Sequence, residues 1–92
     1  MPASSEVQIA LPAKIALHAR PAGQFVKTAS QFQAQVRISV DGKAVDAKSI
    51  LGILLMAAAQ GSQLTIRCDG QDEEEAMRAV TGLIGNRFDE ES

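Results

Sequence analysis

The sequence predicts a two-layer α+β fold in which helices pack on one side of a mainly antiparallel sheet. Four short segments alternate apolar and other residues, which is the period of a half-buried strand. Three segments repeat their apolar residues every three or four positions, which is the period of a helix with one buried face. Their order is β-α-β-β-α-β-α. We expect a single domain over residues 1–92, with frayed tails at 1–5 and 89–92.

The first strand and the first helix are predicted before residue 30. Val7, Ile9 and Leu11 alternate along the strand, and Pro12 ends it. Pro21 lies near the start of the helix, where its fixed φ and its missing N–H suit the first turn. The buried face of this helix is predicted from apolar residues at helical spacing, namely Ala22, Phe25, Val26 and Ala29.

A hairpin and a strongly apolar helix follow. Asp41-Gly42, the dipeptide most typical of a two-residue hairpin loop, separates a strand over Val36 to Val40 from a strand over Lys43 to Ala47. Ser49 has the side chain of a helix N-cap, and the helix after it is apolar from Ile50 to Ala59. A helix on one face of two layers has a solvent side. We therefore expect an exposed apolar patch, typical of a protein interface, formed by some of Ile50, Leu51, Leu54 and Leu55. The alternative is a helix that is wedged between neighbours and wholly buried.

The last strand and helix complete the order. Leu64, Ile66 and Cys68 alternate in the strand, which places the Cys68 thiol in the core, and Gly70 turns the chain. The acidic run 72–75 opens the last helix and complements its dipole, and its carboxylates do not converge as a metal site would require. Gly85-Asn86 marks the end of this helix.

Composition and charge exclude several classes of protein. With 46% hydrophobic and 22% charged residues, the chain is typical of a globular domain. One cysteine and one histidine provide neither an internal disulfide nor a zinc-ligand set, and no metal or other cofactor is expected. No secretory signal and no apolar run near ~20 residues is present, so we expect a cytoplasmic protein without membrane contact. Nucleic acid is not expected either, because basic residues do not cluster and aromatic platforms are missing.

The charge is unevenly distributed along the chain. Residues 1–68 carry seven basic and three acidic residues, whereas 69–92 carry two basic and eight acidic ones. The first two-thirds of the chain could therefore present a mildly basic face to an acidic partner or a phosphate.

The chemistry is predicted at Leu17-His18-Ala19-Arg20-Pro21-Ala22, where the only histidine directly precedes a helix. The unpaired N–H groups and the dipole of a helix N-terminus favour an anion, above all a phosphate. A neutral imidazole is a nucleophile near pH 7, and the Arg20 guanidinium could bond a phosphoryl group on His18. These parts point to reversible attack on phosphorus. The alternative is that His18 caps the helix or fills a turn, and that Arg20 is a solvated surface charge.

Ser49 also has two interpretations. As an N-cap it has a sufficient structural role, worth ~1 kcal/mol. It could also be a phosphorylation site, since a phosphate there would add bulk and negative charge beside an apolar docking surface.

The His-Ala-Arg-Pro-Ala string, followed about 30 residues later by Lys48-Ser49-Ile50-Leu51-Gly52, resembles the HPr family. Its members are the histidine-containing phosphocarrier proteins of the bacterial phosphoenolpyruvate-dependent phosphotransferase system. The resemblance extends from Val7 to about Phe88. It implies an open-faced β-sandwich, with a four-stranded antiparallel sheet and three helices on one face.

The resemblance also implies the roles of individual residues. His18 would accept a phosphoryl group on Nδ1 from phosphorylated enzyme I and pass it to an enzyme IIA-type domain, while Arg20 stabilises the phosphate charge. Ser49 would be the regulatory serine, phosphorylated by an ATP-dependent serine kinase in organisms that have one. The family's docking surface would comprise Ala19, Arg20, Gly23, Lys27, Ile50, Leu51 and Leu54. Such a carrier is a transfer substrate more than an enzyme. We expect a monomer, because the carrier passes the phosphoryl group between its partners through one small surface.

Two questions stay open from the sequence. The apolar end of the second helix and the ending Asn86 to Ser92 are closer to the nitrogen-branch variant of the family than to the sugar-uptake form. The presence of His18 argues against regulatory paralogues that lack the phosphorylatable histidine. The alternative from another class is a regulatory module that binds a small ligand without chemistry, since folds of this size host both functions.

Overall fold

A computed structural model describes residues 5–12, 15–17, 19–56 and 61–89 of the chain. The predicted element order β-α-β-β-α-β-α is confirmed, and a short 3-10 turn at Arg87–Asp89 follows it. The strands are β1 (Ser5–Ala10), β2 (Gln35–Val40), β3 (Lys43–Asp46) and β4 (Gln63–Asp69). The helices are α1 (Ala19–Ala29), α2 (Ile50–Met56) and α3 (Glu73–Gly85). No helix within these residues is long and apolar enough to cross a bilayer.

The four strands form one sheet in the order β1-β4-β2-β3, and every neighbouring pair is antiparallel. The last strand in sequence, β4, therefore lies between β1 and β2. At the hairpin, Asp41 and Gly42 have φ values of 53° and 81°, as a type I′ turn requires at both central positions. This turn confirms the prediction made from the Asp-Gly dipeptide.

The core lies between one face of the sheet and the helices. Alternate residues of the two central strands are fully buried, while Arg37 and Arg67 on the opposite face are exposed. The helices cover the inner face with apolar side chains that include Phe25, Ile53 and Val80. Cys68 is buried as predicted. Because the helices cover one face only, the predicted open-faced sandwich is confirmed.

The predicted bounds of β1 are wrong by one or two residues. The strand begins at Ser5 and ends at Ala10. Ser5 was expected to be the last residue of the frayed N-terminal tail, but it pairs with Cys68 in the sheet. Leu11 is buried after the strand rather than within it, and its N–H donates to the carbonyl of Ser62 at 2.9 Å. Val7 is 37% exposed because β1 is an edge strand that the helices cover incompletely.

The other segment ends are only partly described. The predicted second helix reaches Ala59, whereas α2 is described to Met56, and 57–60 lie outside the described residues. Residues 1–4 and 90–92 of the expected tails lie outside them as well. Phe88, shortly before residues 90–92, has a left-handed backbone conformation with a φ of 55°. Its side chain is fully buried, so a core contact holds this turn at the end of the fold.

Sheet topology places the beginnings of α1 and α2 at opposite ends of the sheet. Ala10, the last residue of β1, pairs with the first residue of β4. Asp46, the last residue of β3, pairs with Arg37, which pairs with Arg67 near the end of β4. β1 and β3 therefore finish at opposite ends of the sheet, and the two helices that follow them contact each other.

Candidate functional site

The first turn of α1 provides the charge at the candidate site. His18 lies outside the described residues, but the residues on both sides of it are described. Leu17 is buried in the core, and Ala19 is the first, exposed residue of α1. Because the chain leaves the core at Leu17 and enters the helix at Ala19, residue 18 directly precedes the positive end of the helix dipole.

The N-terminus of α1 suits an anion. Arg20 is exposed in the first turn, and that turn contains no acidic residue, so no carboxylate of α1 neutralises its positive end. In the first turn of any helix the N–H groups have no acceptor within the helix, and Pro21 has no N–H to satisfy. Pro21 and Ala22 face the core and orient the helix. The turn that follows residue 18 in the sequence therefore combines the helix dipole, N–H donors and a guanidinium.

Ser49 is the N-cap of α2, as predicted. Its Oγ accepts a hydrogen bond from the Gly52 N–H at 3.0 Å, and its carbonyl accepts the Ile53 N–H at 3.1 Å. Gly52 allows close packing here, because a Cβ at that position would lie 3.3 Å from Ser49 Oγ and 3.3 Å from Val45 Cβ. The hydroxyl of Ser49 is therefore held at the turn that enters α2.

The outer face of α2 is an exposed apolar patch, which confirms that prediction and excludes the wholly buried alternative. Ile53 and Met56 point into the core. Leu51 is 63% and Leu55 73% exposed, and Ile50 and Leu54 are also exposed. No charged residue lies in α2. Apolar side chains that remain in water in this way are typical of a protein interface. We call this surface, formed by Ile50, Leu51, Leu54 and Leu55, the α2 patch.

The structure brings some of the predicted docking residues together and separates others. Lys27 is exposed in the last turn of α1, at the end of the sheet where α2 begins. Gly23 is half-buried at the middle of α1, and the space beside its Cα is open. Ser49 therefore belongs to the Lys27 end of this face, whereas Arg20 belongs to the opposite end.

Two sets of hydrogen bonds that the sequence did not predict hold the loop that follows α1. Lys48 Nζ donates to the carbonyl of Phe32 at 2.8 Å, which joins the loop before α2 to the loop after α1. The Asp72 carboxylate accepts the N–H groups of Gln33 at 2.9 Å and Ala34 at 2.8 Å. These bonds lower the pKa of Asp72, and the Lys48 ammonium adds to the effect. The sequence indicated only a helix-start charge at Asp72, because its partners lie 38 and 39 residues away.

Other titratable groups are less directly connected with this face. Burial raises the pKa of the Cys68 thiol to about 11, and the charges of Glu73, Asp69 and Asp72 add to the rise. Among the residues that the structure describes, no group of three metal-ligating side chains is arranged to hold an ion.

Comparison with known proteins decides the family. The PTS-HPr model, described as "PTS HPr component phosphorylation site", matches residues 4–86. This chain belongs to the HPr family. The resemblance predicted from the two motifs is thereby confirmed, together with the phosphocarrier class and its connection with the bacterial phosphotransferase system.

Individual HPr proteins match over nearly the whole chain. The phosphocarrier protein HPr of Xylella fastidiosa strain Temecula1 is 42% identical over 87 residues, which are 95% of this chain and 98% of the relative. That of Cupriavidus necator is 48% identical over 77 residues, 84% of this chain and 86% of the relative. The crystal structure of HPr-C-His from Thermoanaerobacter tengcongensis has a TM-score of 0.91 and 45% identity, and the match covers 96% of this chain and 99% of that one.

Proposed function

We propose that this HPr protein carries a phosphoryl group on Nδ1 of His18. It receives the group from phosphorylated enzyme I, which takes it from phosphoenolpyruvate, and delivers it to an enzyme IIA-type domain. The observation that carries the proposal is the exposed beginning of α1 at Ala19, directly after residue 18 in the sequence, with Arg20 in a first turn that contains no acidic residue. The family match over residues 4–86 supports the same conclusion.

The proposed reaction is a direct transfer of the phosphoryl group from the donor protein to His18. The Nδ1 lone pair of His18 attacks phosphorus, a new N–P bond forms, and the bond between phosphorus and the donor atom breaks, so the donor leaves with that electron pair. The helix dipole and the Arg20 guanidinium hold the phosphoryl oxygens by charge and hydrogen bonds. In the transfer to the acceptor, the acceptor's nucleophilic atom attacks phosphorus, the N–P bond breaks, and its electron pair returns to Nδ1 of His18, so no water is consumed. The protein is regenerated by its partners and is in this sense a carrier, not an enzyme.

Docking of both partners is proposed on the face formed by α1 and α2. The face combines Ala19 and Arg20 at the start of α1, Gly23 and Lys27 further along it, and three residues of the α2 patch, namely Ile50, Leu51 and Leu54. Its apolar part would be desolvated by a partner, while the basic side chains Arg20 and Lys27 suit an acidic surface around it.

Ser49 is proposed as a regulatory phosphorylation site for an ATP-dependent serine kinase. Its hydroxyl lies at the start of the α2 patch and not in the core. A phosphoryl group there would replace a hydroxyl next to Ile50 and Leu51 by about two negative charges. We therefore expect it to weaken docking of partners while the fold is kept.

The decisive experiment is phosphoryl transfer followed by intact mass. Purified protein is incubated with enzyme I, Mg²⁺ and phosphoenolpyruvate. We expect one acid-labile phosphoryl group, which is missing in His18→Ala, and loss of that group on addition of an enzyme IIA-type acceptor. Acceptors of the sugar-uptake and nitrogen branches, offered separately, identify the pathway by their relative rates. No gain of mass with an enzyme I that phosphorylates another HPr would contradict the carrier role and favour a ligand-binding module.

A further inference from the structure

Gly23 weakens α1 without being required by the fold. It lies inside the helix, where its backbone conformation is open to any residue that favours a helix. A Cβ at this position would meet no atom of the described residues within 4 Å beyond the backbone of the helix itself. Glycine inside a helix loses more backbone freedom on folding than alanine does, which raises the unfolding equilibrium constant by about two- to fivefold. Neither conformation nor packing within the chain explains this glycine.

Glycines inside the other two helices differ from Gly23 in packing or in position. At Gly52 in α2, a Cβ would lie 3.3 Å from Ser49 Oγ and 3.3 Å from Val45 Cβ, so close packing accounts for that glycine. Gly82 in α3 is exposed and has free space as Gly23 has, but α3 contributes no residue to the proposed docking face. Of these three glycines, Gly23 alone combines free space with a place on that face.

The surface of α1 forms a shallow recess at Gly23, between two basic side chains. Gly23 follows Arg20 by three positions and precedes Lys27 by four, so the three residues share one face of the helix. Arg20 and Lys27 are exposed, whereas Gly23 between them is half-buried. Ala19, one turn earlier, adds only a methyl group to this face. Inside a helix the N–H and C=O groups bond to each other, so the floor of the recess is helix backbone without free donors or acceptors.

We propose, on the basis of the proposed docking of enzyme I, that the missing side chain at Gly23 determines specificity for this donor. The recess accepts a bulky apolar side chain of enzyme I, and carboxylates on either side of that side chain face Arg20 and Lys27. The occupant is apolar because the floor offers no free hydrogen-bonding group, and its neighbours are acidic because both rims are basic. Since α1 contacts α2, one partner can cover the recess together with the α2 patch.

Gly23→Ala and Gly23→Leu test the proposal, because alanine and leucine both favour a helix. Each should stabilise the fold, with an unfolding equilibrium constant in urea that is lower by about two- to fivefold. Each should also fill the recess and weaken docking. We expect the KM for phosphoryl transfer from enzyme I to rise by about threefold in Gly23→Ala and by about tenfold or more in Gly23→Leu, while kcat stays within about twofold of the parent.

Gly82→Ala and Gly82→Leu are the matched controls. They make the same changes inside another helix, at a glycine that has equally free space but lies outside the docking face. Both should stabilise the fold to a similar extent, and their KM for transfer from enzyme I should equal that of the parent. A higher stability together with a higher KM, found at Gly23 only, is a result that a purely structural role of this glycine would not produce.

Three results would overturn the proposal. These are an unchanged KM in Gly23→Leu, an equal rise of KM in Gly82→Leu, and a less stable fold in Gly23→Ala, which would show that the fold itself requires the glycine. The parent protein separates this outcome from failure of the carrier role. If the parent accepts no phosphoryl group from enzyme I, the proposed function fails and the role of Gly23 fails with it. If the parent and Gly23→Leu accept the group with the same KM, only the role of Gly23 is wrong.

Discussion

Leu51→Ala tests whether the α2 patch is used in docking. Full burial of a leucine side chain contributes about 1.5–3 kcal/mol. Leu51 is 63% exposed, so about 1–2 kcal/mol remains to be gained when a partner covers it. Alanine keeps one methyl group of this surface and should lose about 1–1.4 kcal/mol, which corresponds to a five- to tenfold higher KM for transfer from enzyme I. Because the side chain is largely in water, the free energy of unfolding should change by less than about 0.5 kcal/mol.

The assay measures initial rates of phosphoryl transfer against the concentration of this protein, with thermal unfolding in parallel. The matched control is Val7→Ala, which truncates another exposed apolar side chain at the opposite margin of the sheet. We expect kcat to be unchanged in both variants and KM to rise in Leu51→Ala only. An unchanged KM in Leu51→Ala, or an equal rise in Val7→Ala, would refute the assignment of docking to the patch.

Three further predictions concern single side chains. Arg20→Ala should slow phosphorylation of His18 by about 10- to 100-fold, since a hydrogen bond to a charged group contributes about 1.5–3 kcal/mol. The melting temperature should be unchanged. A rate within twofold of the parent would exclude Arg20 from the transfer step. Asp72 has a lowered pKa in the folded state, so its contribution to stability is complete above its unfolded pKa and is lost as the pH falls through the folded pKa. Urea titrations from pH 7 to pH 2 measure the free energy of unfolding of the parent and of Asp72→Asn. The parent should be the more stable of the two at pH 7, and this difference in stability should shrink as the pH falls. A difference that stays constant would contradict this. Cys68, with a pKa of about 11 instead of 9.0, should react with a thiol reagent at pH 8 at least about a hundredfold more slowly in the folded protein than in urea, and equal rates would show that the thiol is not buried.

Local sequence patterns predicted most of the fold, because turns, caps and helices depend on interactions between residues that are close together in the sequence. The Asp41-Gly42 turn and the Ser49 cap involve residues at most three positions apart, and both are observed as predicted. The bounds of β1 were less accurate, because its ends depend on pairing with β4 more than fifty residues later. The exposure of Leu55 followed from an apolar helix on a two-layer fold, although the docking set derived from the family resemblance omits this residue.

Contacts between distant parts of the chain could not be predicted in this way. The sequence around Asp72 would be the same whether its carboxylate bonded the start of its own helix or the amides of Gln33 and Ala34, as observed. Similarly, the sequence places the His18 and Ser49 motifs about 30 residues apart without indicating that the sheet directs their helices from opposite ends. The strand order that decides both points is a property of the whole sheet.

The central position of β4 has a consequence for synthesis of the protein. When a ribosome has released residues 1–56, β1, α1, the β2–β3 hairpin and α2 have all been made, but β1 and the hairpin have no common partner. An isolated two-stranded hairpin is at best marginally stable in water. The sheet can close only after Gln63–Asp69 has emerged and inserted between them. Until then α2 can pack only on the β2–β3 hairpin and α1, so the core stays incomplete during that interval of synthesis.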